Sequence, residues 1–195
     1  RQEQIRYTRD LNETLTWALA IEDPSSNDVL TSNAPRTSQP DFISTLLIKM
    51  PNNNHIQFGA LSRKIEVESD LLADNETSGW GATVSGRWHV SASGSIVYGA
   101  TYGDGIGRYL LGLDPFAGGY VDPVSTKLKS RTGKGGFVSY GHRWTDGIRT
   151  NFMYGEAHAE DEDVLLAATF ENSKYFASNI FYEITPYLVW VWSMA

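Results

Sequence analysis

The spacing of the predicted strands constrains the fold more than any other feature, because short and long connections alternate along the whole chain. Apolar and polar residues alternate with a period of two over segments of about ten residues, and helical periodicity is nearly absent. Leu15, Trp17, Leu19 and Ile21 illustrate this pattern. The ten predicted strands are residues 2–10, 13–23, 42–50, 55–68, 80–91, 95–104, 134–145, 148–158, 174–184 and 187–195.

Two kinds of connection join these strands. Short polar turns lie at residues 11–13, 51–54, 92–94, 146–147 and 185–186. Long stretches lie at residues 24–41, 69–79, 105–133 and 159–173. In an up-and-down meander, successive connections leave the sheet at opposite edges, so one edge carries turns and the other carries loops, as in outer-membrane barrels. We therefore predict an all-β fold, a transmembrane antiparallel up-and-down β-barrel, with residues 1–195 as a single barrel segment.

The aromatic residues favour lipid contact over a soluble β-sandwich, which also alternates apolar and polar positions. Strands of about ten residues, tilted by ~40°, span the apolar part of an outer membrane, whereas average strands have about five or six residues. Trp and Tyr prefer the boundary between water and lipid. Large rings lie near the predicted strand ends, at Tyr7, Trp17, Trp80, Trp88, Tyr102, Trp144, Tyr154 and Tyr182. One apolar face per strand reconciles 6 Trp, 10 Tyr and 8 Phe with a mean hydropathy of −0.31.

The other face of the strands is polar and partly cationic, and we predict that it lines a water-filled lumen. An arginine keeps its charge at any working pH, and its planar fork fits carboxylates. We therefore predict passive diffusion of small hydrophilic solutes, preferentially anionic ones of the carboxylate type, with loop residues folded inward to narrow the path. The predicted pore-lining residues are Gln4, Arg6, Thr8, Ser85, Arg87, Arg149 and Asn151.

The composition excludes several classes of protein and site. The sequence contains no Cys, which excludes disulfides, thiolate zinc sites and a cysteine nucleophile. A formal net charge of −7 argues against nucleic-acid binding, which needs a basic surface. Acidic residues gather in the long stretches, for example Asp161, Glu162 and Asp163. A solvated loop explains them most simply, and cation bridging to lipid phosphates is the sharper hypothesis. We expect no cofactor and no metal site.

Motifs typical of enzymes are weak in this sequence. Residues 103–108 read Gly-Asp-Gly-Ile-Gly-Arg but lack the strand-to-helix context of a dinucleotide-binding loop. The 4 His residues have no metal-ligand spacing. His89 with Asp10 or Asp104 is the one catalytic pair that can be constructed, so an outer-membrane barrel hydrolase is an alternative, although we predict no catalytic residues. A second alternative is a soluble all-β carbohydrate-binding module that uses its aromatic rings as stacking platforms.

Five segments carry a resemblance to a known family. The most specific is residues 100–110, Ala-Thr-Tyr-Gly-Asp-Gly-Ile-Gly-Arg-Tyr-Leu. The others are residues 1–8, 18–24, 135–144 and 179–186. In this order, the segments are similar to the middle and later parts of DcaP-like trimeric porins of Gram-negative bacteria.

The resemblance implies a sixteen-stranded barrel that forms a homotrimer in the bacterial outer membrane, in contact with membrane lipid and lipopolysaccharide. It implies passage of small hydrophilic solutes, with a preference for anions such as dicarboxylates, and a lumen position for Arg6. Ten strands are fewer than such a barrel needs, no signal peptide is visible, and the last residues are Trp192-Ser193-Met194-Ala195 rather than a terminal aromatic. We therefore expect this chain to be a C-terminal portion of the barrel.

Overall fold

The computed structural model describes residues 3–24, 29–30, 34–36, 38–110, 118–160, 172–185 and 188–194. This part of the chain is almost entirely β-structure, with two short 3₁₀ turns at Pro51–Asn53 and Gly107–Tyr109. None of its helices is long and apolar enough to cross a membrane.

Most of the described chain lies in one large antiparallel sheet, in which each long strand pairs with the next long strand in the sequence. The strands are β1 (Gln4–Asp10), β2 (Leu15–Glu22), β3 (Val29–Leu30), β4 (Ala34–Arg36), β5 (Asp41–Lys49), β6 (His55–Glu68), β7 (Glu76–His89), β8 (Gly94–Asp104), β9 (Gly119–Asp122), β10 (Lys127–Ser130), β11 (Thr132–Thr145), β12 (Ile148–Ala159), β13 (Asn172–Thr185) and β14 (Leu188–Met194). The predicted all-β meander is confirmed, because every predicted strand corresponds to a long strand of this sheet.

The short connections all lie at one edge of the sheet, which we call the short-turn edge, and the long connections lie at the other. Polar side chains close the short turns by hydrogen bonds to nearby backbone. Asn12 Oδ1 accepts from the N–H groups of Thr14 (2.9 Å) and Leu15 (2.8 Å), which is the pattern of an Asx turn. Residue 186 of the last predicted turn, like residue 187 after it, lies outside the described residues.

The long connections contain four short strands that the sequence pattern does not predict. Strands β10, β9 and β3 form a small separate sheet, and β4 pairs with the end of β6. Leu128 packs with Ile65 and Val67, so β6 runs past the large sheet and holds the small one. Strands of two to four residues are too short to show a period of two, which is why the sequence pattern misses them.

The two faces of the large sheet have different surroundings. Directly paired residues share a face, and alternate residues along a strand point to the same side. Residues 106–110 pack against one side, which we call the loop-covered face. The other side, which we call the bare face, carries most of the exposed large apolar side chains of the sheet. The register assigns Ala18, Thr45, Gly59, Thr83, Thr101, Gly135 and Ala157 to the loop-covered face.

The bare face is apolar and rich in exposed rings. By the same register, all eight aromatic residues predicted near the strand ends lie on it. Trp80 and Trp144 have exposed rings whose polar atoms have partners: Trp80 Nε1 donates to Asp104 Oδ2 (2.9 Å) and Trp144 Nε1 donates to Thr150 Oγ1 (3.0 Å). Such rings suit a boundary with an apolar body on one side and water on the other.

Candidate functional site

The connection after β8 packs on the loop-covered face over a patch of very small residues, which we call the seat: Gly81, Gly135, Ala157 and Ala159. We call residues 105–131 the covering loop; the structure describes 105–110 and 118–131 of it. Ile106 and Leu110 are buried with Ala157 and Ala159 of β12. A Cβ added at Gly81 would lie 2.9 Å from Ile106, and one added at Gly135 would lie 3.0 Å from Leu110. The glycines therefore make the room into which the loop packs.

The loop turns toward this seat at Gly105. This residue has a φ of +68°, a conformation that glycine adopts without strain. A side chain at this position would also meet Ile65, since an added Cβ would lie 2.7 Å from its Cδ1 atom. The glycine-rich segment singled out in the sequence therefore forms a tight entry into the covering loop. It has no long helix behind it in the described residues, so the context of a dinucleotide-binding loop is missing.

Four residues fasten the covering loop to the sheet, and we call them the ionic latch: Asp41, Arg63, Arg108 and Tyr109. The Asp41 carboxylate is fully buried, with Arg63 Nε 3.3 Å from one oxygen and Arg108 Nη1 3.5 Å from the other. The Tyr109 hydroxyl donates to Asp41 at 2.9 Å. Arg63 also donates to the carbonyl of Gly105 at 2.9 Å, so both ends of the short 3₁₀ turn are held.

The buried charge of Asp41 is compensated by its neighbours in the latch. A buried carboxylate without partners would be strongly destabilising, but here two guanidinium groups and one hydroxyl face it. Burial, and after it the Asp41 carboxylate, raises the pKa of Tyr109, so this hydroxyl keeps its proton and remains a donor. The side chains of Arg63 and Arg108 are 1% and 7% exposed, so the latch offers almost no charge to solvent.

Two cavities lie beside the covering loop on the same face. One has a volume of about 240 Å³ and extends between Ile43, Thr83 and Tyr109. The other, of about 510 Å³, extends from Leu110 toward Ser85 and Phe137. The hydroxyl of Thr101 donates to that of Thr83 at 3.1 Å, which places a polar pair on the floor of both cavities. The space beside the loop is therefore partly apolar, with hydroxyl groups on its strand side.

A group of exposed cations lies farther along the loop-covered face, toward the short-turn edge. Arg87, Arg143 and Arg149, which we call the short-turn arginines, are all exposed. Arg143 and Arg149 occupy directly opposite positions on β11 and β12, and Arg149 lies 4.6 Å from the ring centre of Phe181. None of the three forms an ion pair with any residue that the structure describes.

All seven predicted pore-lining residues lie on the loop-covered face, although they do not form one cluster. Ser85 and Arg87 follow one another on β7, and Asn151 and Arg149 do so on β12. Asn151 accepts a hydrogen bond from Ser139 at 2.8 Å. The remaining three predicted residues lie apart from these on β1, at the end of the sheet order, and are Gln4, Arg6 and Thr8.

Arg143 and the ionic latch are not among the functional residues that the sequence predicts. Arg143 lies two residues from Gly141 on a predicted strand, so alternation alone assigns it to the same face. The same alternation assigns Arg63 to the face of Leu61. No local pattern, however, indicates that Asp41 meets Arg108, because the two residues are far apart in the sequence and belong to a strand and a loop.

The described residues bring together no catalytic pair of the kind considered from the sequence. His89 Nδ1 lies 3.2 Å from Asn54 Oδ1, and its backbone N–H donates to the same oxygen. Asp10 is paired instead with Lys49 at 3.0 Å. Asp104 lies on the bare face with Trp80, the opposite side of the sheet from His89. Among the described residues there is also no group of three metal-ligating side chains; Asp161, Glu162 and Asp163 lie outside these residues.

Comparison with known proteins identifies the fold. No protein-family model matches the chain, and no curated protein matches it in sequence. Among solved structures, the crystal structure of the outer membrane channel DcaP of Acinetobacter baumannii matches 97% of this chain with a TM-score of 0.81 and 18% sequence identity. The match covers 54% of that channel's chain, so this chain spans about half the length of the structure it matches. The chain has a DcaP-like porin fold.

Proposed function

We propose that the protein containing this chain, which has the fold of a porin, is an outer-membrane porin for small hydrophilic solutes, preferentially carboxylate anions. The observation that carries the proposal is the contrast between the two faces of one sheet. The bare face is apolar and carries exposed rings, as expected of a surface in lipid. The loop-covered face has hydroxyl groups, cavities and exposed arginines, as expected of a surface in water.

The covering loop would narrow this diffusion pathway. It lies against the loop-covered face and is held there by apolar contacts and by the ionic latch. A solute that passes the loop would next meet the hydroxyl groups of Thr83 and Ser85 and then the side chain of Arg87, which succeed one another along β7. Diffusion through such a path needs no moving part and no energy source.

The short-turn arginines would give the pathway its preference for anions. A formal net charge of −7 opposes anion entry at long range, but salt screens charges over about 8–10 Å. Selectivity is therefore set by the groups nearest to the solute. Arg87, Arg143 and Arg149 present guanidinium groups that no described carboxylate neutralises.

The assembly and location form part of the same proposal. We propose a homotrimer in the bacterial outer membrane, surrounded by lipid and lipopolysaccharide, with no cofactor, no nucleic-acid partner and no catalytic activity. The support is the likeness of the fold to a channel of the outer membrane. A soluble carbohydrate-binding module would instead leave the apolar bare face in water, where a large exposed apolar surface favours aggregation.

The test is a measurement of ion selectivity in planar bilayers with the purified protein. In a gradient of a dicarboxylate salt, we expect channels whose reversal potential indicates a preference for the anion. The triple variant Arg87→Gln, Arg143→Gln, Arg149→Gln should move the reversal potential toward cation preference. The matched control is Arg9→Gln, since Arg9 lies on the bare face beside Trp17 and should leave selectivity unchanged.

Two outcomes would contradict the proposal in different ways. Cation-preferring channels in the unchanged protein would overturn the anion preference but leave the porin. A protein that stays monodisperse without detergent and forms no channels would overturn the porin and favour the soluble binding module.

A further inference from the structure

The bare face contains a groove near the edge of the long connections that the proposed diffusion pathway does not use. Its volume is about 780 Å³. The floor is formed by Ala100 of β8 and Gly136 of β11, which are directly paired and have little or no side chain. Larger residues flank this pair on the same face, Tyr98 and Tyr102 along β8 and Lys134 and Val138 along β11, so the small pair creates a depression between them.

A cationic rim borders the groove on the side of the long connections. Lys134 and His158 are directly paired there, and His158 Nδ1 lies 2.8 Å from Asn172 Oδ1. Lys174 enters the rim from β13. Both lysines are exposed, and neither forms an ion pair with any described residue.

Among the described residues that line the groove, Glu156 is the one carboxylate, and it already has a partner. Glu156 is paired in register with Lys174, and its Oε2 atom accepts a hydrogen bond from the Tyr154 hydroxyl at 2.9 Å. Two lysines against one glutamate leave the rim with a net positive charge. The rim therefore complements an anionic group.

The opposite end of the groove is apolar and continues toward the middle of the bare face. The next register row consists of Tyr98, Val138, Tyr154 and Phe176, and the row after it contains Ile96, Tyr140 and Phe152. A cationic rim above an apolar channel matches a molecule with an anionic head and a hydrocarbon chain. A soluble anion would use the rim alone, and a flat protein surface would leave the depression unfilled.

We propose that this groove binds one phospholipid with a net negative charge, with its phosphate at Lys134 and Lys174 and an acyl chain over Gly136 toward Val138. The proposal rests on the proposed function, because it requires that the bare face lies in a membrane. It goes further by assigning a lipid site to particular residues on that face.

The experiment is native mass spectrometry of the whole protein released from detergent that contains either phosphatidylglycerol or phosphatidylcholine with identical acyl chains. We expect retention of phosphatidylglycerol in preference to phosphatidylcholine. Each cation near a membrane surface contributes about 1 kcal/mol to attraction of an anionic lipid, so the double variant Lys134→Ala, Lys174→Ala should lose about thirtyfold in preference.

Two further variants separate charge from shape. The control Lys64→Ala removes a bare-face lysine that is already paired with Glu66 (2.8 Å) and Glu76 (2.6 Å), and it should leave lipid retention unchanged. Ala100→Leu keeps both groove lysines but fills the floor, and it should weaken retention of phosphatidylglycerol. Equal retention in Ala100→Leu and in the unchanged protein would overturn the acyl-chain position.

The remaining outcomes also decide between occupants. If inorganic phosphate competes as effectively as lipid, the groove is a site for soluble anions and the proposal is overturned. A change of oligomeric state in the double variant, without a change in lipid retention, would also overturn it, because the groove would then be an interface between copies of the chain. Channels that conduct normally but retain both lipids equally would overturn the lipid site and leave the porin. Failure to insert into bilayers at all would contradict the proposed function itself.

Discussion

Two groups of arginines share the loop-covered face and differ in their surroundings. Arg63 and Arg108 lie under the covering loop, with Asp41 between them and almost no contact with solvent. Arg87, Arg143 and Arg149 lie toward the short-turn edge, exposed and without a described carboxylate nearby. The strand position of an arginine therefore determines the face on which it lies, whereas its neighbours determine whether its charge is available to a solute.

The largest expected effect comes from a substitution that removes the carboxylate of the ionic latch. Asp41→Ala leaves two buried guanidinium groups facing each other, and removal of one member of a buried ionic group costs about 3–5 kcal/mol. We expect a lower free energy of unfolding in denaturant titrations of the protein in micelles. We also expect a higher single-channel conductance, because the covering loop loses its fastening.

Asp10→Ala is the matched control for this variant. Asp10 lies on the same face and is also paired with a cation, but the Lys49 and Asp10 side chains are 45% and 67% exposed. An exposed pair contributes about 0–1 kcal/mol, so its loss should change stability little. Equal destabilisation by the two substitutions would contradict the distinction between buried and exposed charges.

A smaller effect is expected when the seat of the loop is filled and its ionic latch is left intact. Gly81→Val places a side chain where Ile106 now packs, and overpacking costs about 1–3 kcal/mol. Conductance should rise by less than in Asp41→Ala. Gly141→Ala is the control, since an added Cβ there would lie 3.6 Å from Asn151 Oδ1, an ordinary contact.

Substitution of a short-turn arginine should change the stability of the protein and the anion preference of the channel in opposite directions. Arg143 and Arg149 are like charges directly opposite each other, an arrangement that costs about 0.2–1 kcal/mol. Arg143→Gln should therefore raise the free energy of unfolding slightly while it lowers the anion preference of the channel. Arg87→Gln, whose register partner is His55, should lower the anion preference without the gain in stability. A loss of stability in Arg143→Gln would show that its charge is compensated after all.

The smallest effect concerns the small sheet in the long connections. The Lys129 ammonium group and the N–H of Val124 lower the pKa of Asp122 below its ordinary value of 3.8. A lowered folded-state pKa means that this carboxylate stabilises the small sheet above pH 3.8 and that the effect is lost as the pH falls toward the folded-state pKa. Limited proteolysis within residues 119–130 should be faster in Asp122→Asn than in the unchanged protein at neutral pH. The difference should shrink as the pH falls below 3.8, and a difference independent of pH would contradict this role.

The sequence predicts the large sheet well because its physical cause is local. Alternation with a period of two, polar turns and the regular change between short and long connections are all properties of neighbouring residues, and they correctly predict the long strands. The ionic latch and the seat of the loop depend instead on residues that are distant in sequence, such as Asp41 with Arg108 and Gly81 with Ile106. Such contacts carry no periodic signal, so only the structure reveals which arginines are compensated.

The position of the seat under the covering loop also bears on the order in which parts of the protein fold. Gly81 belongs to the hairpin of β7 and β8, whereas Gly135 and Ala157 belong to the hairpin of β11 and β12, and the loop connects the two. The seat is complete only after β8 has paired with β11. We therefore expect the covering loop to dock late during folding, and the path beside it to be wider before the loop docks than afterwards.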